Sequence, residues 1–248
     1  MPKFFPDIIQ GSDEWYFARM GRATASNFAR IVTEVKGEWS ETGAKKYARE
    51  IAVQRLLDEE TEQRIGHIPR IERGKLMEPD ALEAYERQVG YKTAKMGIII
   101  SDDGTRSCSP DRIYTVPGVN GGEDLLIGVE TKCPGGPTHL DYLENSGPGR
   151  AYIWQVVGSL LIAGFHAWDF WSYHPGLDGV LVRYWRKDYQ DKIDALAKHL
   201  DRFEGEVRAY MALMQRNGYE PPMSKMKTRS RTEWEKLMKA DPNGWAIG

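Results

Sequence analysis

Cysteine is nearly absent from the chain: Cys108 and Cys133 are the only two in 248 residues. They form no Cys-x-x-Cys pair and have no paired histidines nearby, which argues against a metal or redox role for the thiols. The ordinary behaviour of free cysteine, a small buried hydrophobe, is the reading for both. Long apolar runs are also missing. The longest, around Ile153 to Phe165, is too short to span a bilayer and reads as a buried helix. The opening stretch MPKFFPDIIQGSDEW has no charged segment followed by a long apolar region and a cleavage site, so no secretory leader and a cytoplasmic location are expected. A Gly-x-x-x-x-Gly-Lys-Ser/Thr loop does not occur, which excludes an ATP-driven motor of that type. Internal repeats and low-complexity segments are lacking.

Charge of one sign is not in excess either. Lys and Arg total 34 against 36 Asp and Glu, a formal net charge of -2. That argues against a surface coated in basic groups for DNA. It leaves room for a basic channel, because a site with several carboxylates cancels local lysines and arginines in the sum. The apolar, aromatic and charged fractions, 41%, 11% and 28%, are those of a soluble globular protein with one substantial core. Residues 1-222 are read as one domain. Residues 223-248 form a tail with a basic run at Lys225, Lys227, Arg229 and Arg231, and three roles stay open for it: DNA contact, cover for a neighbouring subunit, or disorder.

The informative stretch is Ser109 to Lys132, SPDRIYTVPGVNGGEDLLIGVETK. It holds Asp111 after a proline, a turn-rich connection, and Glu130-Thr131-Lys132 at the end of an apolar run. Strand alternation sends residues i and i+2 to one face, so the Glu130 carboxylate and Lys132 ammonium project together. Paired hard oxygen ligands suit Mg²⁺ or Mn²⁺, with a lysine beside them to act on an attacking water or a developing charge.

Along the chain, Ser12-Asp13-Glu14 caps a first helix that ends at Gly21, and a second short helix opens at Thr24 or Ser26. Arg19 and Ser26 bracket the turn between them. A guanidinium, a hydroxyl and free N–H groups at a helix start make a phosphate site, although the residues alone favour a plain helix cap and a surface arginine. Ser40 to Glu60 is a helical pattern with Tyr47, Ile51, Leu56 and Leu57 on its apolar side. Ile65 to Ile71 reads as a loop with an apolar tip. Lys75 to Val89 is a helix in which Pro79 belongs to the first turn, which places Glu78 at the helix N-terminus.

Met96 to Ser101, Arg106 to Val116 and Asp124 to Lys132 are expected to form an antiparallel meander with Asp111 and Glu130 on neighbouring strands. Pro134 to Gly149 reads as a loop with His139 and Asp141 at the mouth of the site. Ala151 to Phe165 is a helix whose Ala151, Gln155 and Ser159 share a small polar stripe, of a kind that normally faces water. Two strands follow, Ala167 to Tyr173 and Val180 to Arg186. The aromatic residues of the first fit sheet core better than base stacking, because both faces carry bulky apolar groups. A long amphipathic helix, Asp188 to Asn217, closes the domain. The order of elements is that of an α/β (α+β) domain with a central mixed β-sheet flanked by helices.

Asp111, Glu130 and Lys132, with Glu78 upstream, match the PD-(D/E)xK nuclease pattern. The surroundings sharpen it: Arg73-Gly74-Lys75, Cys108-Ser109-Pro110-Asp111, Glu130-Thr131-Lys132-Cys133-Pro134, then Gln155. Together these resemble the phage lambda exonuclease (YqaJ-like) viral recombinase family, from about Trp15 to about Glu206. An Asp followed by Glu-x-Lys is a weak signal alone, whereas four ordered motifs are specific.

The resemblance implies a restriction-endonuclease-like core. It implies Mg²⁺, with Mn²⁺ able to substitute, held by Asp111, Glu130 and the backbone carbonyl of Thr131, while Glu78 holds or orients a second ion or its water. Lys132 would position the attacking water and help to deprotonate it, with support from Gln155, whose family counterpart faces the metal site. Arg19 and Ser26 would hold a 5′-phosphate, and Ile71 would sit where the duplex is prised open. The implied activity is a 5′ to 3′ exonuclease on linear double-stranded DNA, independent of ATP, leaving 3′ single-stranded tails for a single-strand annealing protein. The implied setting is a homotrimeric ring, phage or prophage encoded, in a bacterial host. One departure stands out: Arg112 follows Asp111 where lambda-like sequences have glycine. Two alternatives remain, an endonuclease or junction resolvase with the same core, and a non-catalytic DNA-end-binding module.

Overall fold

This computed structural model describes residues 1–33, 36–57, 60–61 and 69–218, the side chains of 69–72, 75 and 120 aside. After a short strand that the sequence pattern does not announce, β1 (Lys3–Phe5), the Ser12 hydroxyl accepts the Trp15 amide and starts helix α1 (Asp13–Arg19). Gly21 turns the chain out of it at a φ of +74°, a conformation that costs glycine little. Strand β2 (Ala23–Thr24) leads into a 3₁₀ turn over Ala25–Arg30, and helix α2 (Glu41–Leu57) follows. The buried face of α2 is Ala44, Tyr47, Ala48, Ile51 and Ala52, while Leu57 is exposed.

Helix α3 (Pro69–Val89) is longer than the pattern suggests. Pro79 lies inside it and not in its first turn, so Glu78 is a mid-helix residue. Proline removes one hydrogen bond from a helix, the one to the carbonyl four residues earlier, and here Glu78, Pro79 and Asp80 are all exposed, so the ring meets no packed neighbour. Pro69 to Ile71 are therefore helical, residue 68 lies outside the described residues, and so does the side chain of the expected wedge, Ile71.

The expected three-strand meander is divided between two sheets. Strands β3 (Ala94–Lys95) and β4 (Ile98–Ile100) precede β5 (Arg106–Cys108), and the single strand expected over Arg106 to Val116 breaks after Cys108 and resumes as β6 (Arg112–Val116). Pro110 explains the break: it has no N–H for a ladder and restricts the residue before it. The first sheet has the order β1-β4-β5-β2, with β2 and β5 parallel. The second comprises β3, β6, β7 (Leu125–Lys132), β8 (Ala167–Ser172) and β9 (Val180–Trp185), in the order β3-β6-β7-β8-β9. In it β7 and β8 are parallel and the other pairs antiparallel, as a mixed sheet requires. Asp111 sits where the chain crosses from one sheet to the other.

The connection between β7 and β8 carries helices α4 (Gly136–Glu144) and α5 (Ile153–Ala163). The glycine- and proline-rich segment expected as a loop forms α4 because its proline falls in the first turn, where the missing N–H is harmless. His139 is consequently a core residue and not a group at the mouth of the site. It is fully buried, with Nδ1 2.8 Å from Ser172 Oγ and Nε2 2.9 Å from the Asp178 carbonyl. Asp141, by contrast, is exposed. A 3₁₀ turn and helix α6 (Gln190–Arg216) end the described chain, and the basic tail 223–248 lies outside it. No helix among the described residues is long and apolar enough to cross a membrane.

Each face of the second sheet has its own cover. On one, Trp168 and Phe170 are fully buried in the cluster that includes Leu160 of α5 and Leu196 of α6, which makes the β8 aromatics sheet core. On the other, Tyr85 of α3 packs with Tyr114, Val129 and Trp171. There the buried Asp169 carboxylate accepts from Tyr85 Oη (2.6 Å), Tyr114 Oη (3.2 Å) and Arg183 Nε (2.7 Å), and the Trp171 indole donates to the Ala81 carbonyl (2.9 Å). These bonds clamp α3, and with it Glu78, to the sheet.

Candidate active site

Asp111 is fixed by its main chain and its side chain together. Its amide donates to the Val129 carbonyl at 2.9 Å, and its Oδ2 accepts the Thr131 amide at 2.6 Å. The pre-strand residue of β6 is thereby pinned to the end of β7. Two residues along β7 on one face, as alternation demands, Lys132 Nζ lies 2.5 Å from Glu130 Oε1. The Glu130 side chain is 6% exposed and that of Lys132 32%. Burial, reinforced by the Glu130 charge and more weakly by Glu78, pushes the Asp111 carboxyl up to about 7 against the pull of Lys132 and the Thr131 N–H. Burial alone would lower Lys132. The neighbouring Glu130 and Asp111 charges outweigh it and hold the ammonium above the usual lysine value.

Helix α5 passes over this cluster. The Tyr152 ring, just before its first turn, lies 5.5 Å from Lys132 Nζ and 5.0 Å from the Phe170 ring. Ser159 is buried near the Cys108 thiol, where it offsets part of the upward push that burial gives that group. Helical spacing puts half-buried Gln155 on the face that Tyr152 and Ser159 share, the face turned to the site. Cys108 is buried as expected, whereas Cys133 is only half-buried, one residue past Lys132. Burial pushes the Cys133 thiol up to about 11, with Asp111 and Glu78 adding to the effect, so it is a neutral thiol and not a nucleophile near neutral pH.

Glu78 reaches the same neighbourhood from α3. Its side chain is 54% exposed, 4.0 Å from Arg112 Nη2, and its charge is felt at Asp111 and Cys133. Arg73, five residues earlier, bears on Cys133 with the opposite sign.

Of the two expected phosphate ligands, Arg19 is 6% exposed and its guanidinium stacks 4.1 Å from the centre of the Trp15 ring. Ser26 is exposed on the 3₁₀ turn, its Oγ 3.3 Å from that of Thr24. Thr24, not Ser26, is the residue that precedes this turn. Trp15 and Gln10 were not singled out by the sequence pattern. The Trp15 indole donates to Ser109 Oγ (2.9 Å), and Gln10 Nε2 donates to the Pro110 carbonyl (2.8 Å), so two N-terminal residues hold the loop that presents Asp111. The signal available in sequence was the i, i+4 spacing of Trp15 and Arg19 on a capped helix.

Among the described residues no three His, Cys, Asp or Glu side chains are grouped to hold an ion. The site offers two carboxylates, Asp111 and Glu130, and the carbonyls of the strand end. Mg²⁺ dehydrates reluctantly and is usually held by one or two carboxylates with water and substrate oxygens completing its shell. The donor set therefore fits an ion shared with water and phosphate, not one closed in a protein cage.

No curated protein matches the chain in sequence. Among solved structures, the alkaline exonuclease of Laribacter hongkongensis is similar at 25% identity and a TM-score of 0.66, over 83% of this chain and 97% of that one. The same enzyme in complex with dAMP matches at 26% identity and a TM-score of 0.67, with the same coverage. A phage-related exonuclease of Haemophilus somnus shares the fold, at 14% identity and a TM-score of 0.53, over 82% of this chain and 99% of that one. The model of the YqaJ-like viral recombinase domain matches residues 14–166, more than half of the sequence, and the chain belongs to that family.

Proposed function

We propose that the protein is a metal-dependent 5′ to 3′ exonuclease on linear double-stranded DNA, leaving a 3′ single-stranded tail for annealing. The observation that carries this reading is the Asp111, Glu130 and Lys132 cluster, pinned by the Thr131 amide at the seam of the two sheets. Family membership and the likeness to an alkaline exonuclease support a DNA exonuclease.

Asp111, Glu130 and the Thr131 carbonyl are the groups that would hold Mg²⁺ or Mn²⁺, with Glu78 at the edge. When bound, the ion lowers the pKa of a water and offsets the charge that develops on phosphate. Around it the chain's own groups have separable tasks. Thr131 N–H fixes the orientation of Asp111 by donating to its Oδ2. Lys132, held protonated by its acidic neighbours, donates hydrogen bonds to the attacking water and to a phosphate oxygen. Neutralising the neighbouring carboxylates would let it release its own proton to solvent, and only the resulting neutral amine can take the proton of the water. Gln155 offers an amide from the overlying helix face. Arg19 and Ser26 are assigned to the 5′-phosphate of the strand being digested. The homotrimeric ring and the single-strand annealing partner belong to the same reading and rest on family membership.

The test is gel analysis of linear and covalently closed duplex DNA with and without EDTA. Linear DNA is expected to disappear in Mg²⁺ without ATP while closed circles persist. Cutting of closed circles would make the enzyme an endonuclease or resolvase, and no cutting would leave a DNA-end-binding module.

A further inference from the structure

Arg112 is the departure from the lambda-like pattern, and its surroundings give it a task. It opens β6 in register with Val129, on the sheet face that α3 covers, one residue past Asp111. The side chain is only 12% exposed, and the nearest carboxylate, that of Glu78, lies 4.0 Å away, too far for a hydrogen bond. Among the described residues this guanidinium donates no hydrogen bond. A guanidinium with five N–H donors and one distant counter-charge leaves those donors to water, and the group best fitted to displace that water is an anion with paired oxygens. Glu78, exposed and on the surface of a helix, gives up such a loose pairing at little cost.

We infer that Arg112 is the phosphate-binding cation of this active site: it leans towards Glu78 when no DNA is present and moves to the non-bridging oxygens of the phosphodiester at the cleavage point. The inference rests on the DNA exonuclease reading and names a substrate contact within it. It also gives Glu78 a second meaning, an occupant of the phosphate position that leaves as substrate enters. Arg112 cannot serve as a metal ligand, because guanidinium has no acceptor. As a substrate contact and not a ligand, it can be removed with loss of DNA affinity while the metal-binding carboxylates stay in place.

The experiment uses the full chain with Arg112→Ala, Arg112→Lys and Glu78→Gln. Fluorescence anisotropy measures the affinity for a 5′-phosphorylated duplex in EDTA across a salt series, and calorimetry measures Mn²⁺ binding without DNA. Arg112→Ala is expected to weaken DNA binding by about ten-fold and to lower the slope of log affinity against log salt by about one. Its Mn²⁺ affinity should equal or exceed that of the wild type. Arg112→Lys should restore the salt slope without the full cleavage rate, since lysine lacks the planar fork. Glu78→Gln should bind DNA several-fold more tightly in EDTA. Wild-type DNA affinity and slope in Arg112→Ala, or loss of its Mn²⁺ binding, would overturn the inference and make Arg112 a brace for the Asp111 loop. Failure of the wild type itself to bind or cut duplex DNA would instead refute the exonuclease reading.

Discussion

The Trp15 indole N–H donates to the Ser109 hydroxyl at 2.9 Å, while the other face of the same side chain's environment is taken by Arg19, 4.1 Å from the ring centre. One residue thus joins the arginine assigned to the 5′-phosphate to the loop that presents Asp111. Arg19→Ala should accordingly abolish a preference for 5′-phosphorylated over 5′-hydroxyl duplex ends. A charge-assisted contact is worth ~1.5–3 kcal/mol, so the wild-type preference should be roughly ten-fold or more. Digestion rates on the two kinds of end, for wild type and variant, measure it. A preference that survives the substitution places the pocket elsewhere.

Asp111→Ala and Glu130→Ala should lose Mn²⁺ binding and activity together, whereas Lys132→Ala should keep the ion and lose turnover. The carboxylates are donors of electron pairs to a cation, and the ammonium is not. Lys132→Ala also removes the positive charge 2.5 Å from Glu130, so its Mn²⁺ affinity should hold or rise in calorimetric titration. A large fall there would show that the lysine organises the ligands.

Metal binding should depend steeply on pH. Burial and the Glu130 charge raise the Asp111 carboxyl from an unfolded value of about 4 to about 7, so a proton competes with the cation below neutrality. The Mn²⁺ dissociation constant should weaken by about ten-fold per pH unit below that point and level off above it. The sign for stability of the metal-free protein is the opposite. A raised carboxyl contributes stability fully below about pH 4 and loses it as pH rises through about 7, so melting of the metal-free form should be highest on the acid side of that window as far as this group is concerned.

The motifs were legible because they are local. Alternation alone places Glu130 and Lys132 together, and the Ser12 cap announces α1. The break between Cys108 and Asp111 was less legible, because an apolar run looks continuous whether or not Pro110 moves it to another sheet. Pro79 misled for a related reason: a proline argues for a first turn, but an exposed helix middle tolerates the lost hydrogen bond when burial elsewhere, at Tyr85 and Ala81, holds the helix down. Trp15 and Ser109 lie far apart in sequence, and no spacing rule connects them.

The α3 clamp gives a prediction about stability. Asp169 is fully buried and accepts from Tyr85, Tyr114 and Arg183. Asp169→Ala leaves a guanidinium and two hydroxyls without their acceptor and should cost about 3 kcal/mol in urea unfolding, while Tyr85→Phe should cost about 1 kcal/mol. Equal small losses in the two would mean that the carboxylate is not the hub.

On the proposed reading, the Asp111, Glu130 and Lys132 cluster removes nucleotides from the 5′ end of duplex DNA with the help of a divalent cation. The direct measurement is release of label from a linear duplex carrying it at one 5′ end, by wild type and Glu130→Ala, in Mg²⁺. The wild type should release the 5′ label first as a mononucleotide and leave the opposite strand's 3′ end intact, and Glu130→Ala should release none. Release by Glu130→Ala at the wild-type rate, or loss of nucleotides from the 3′ end first, would contradict the account.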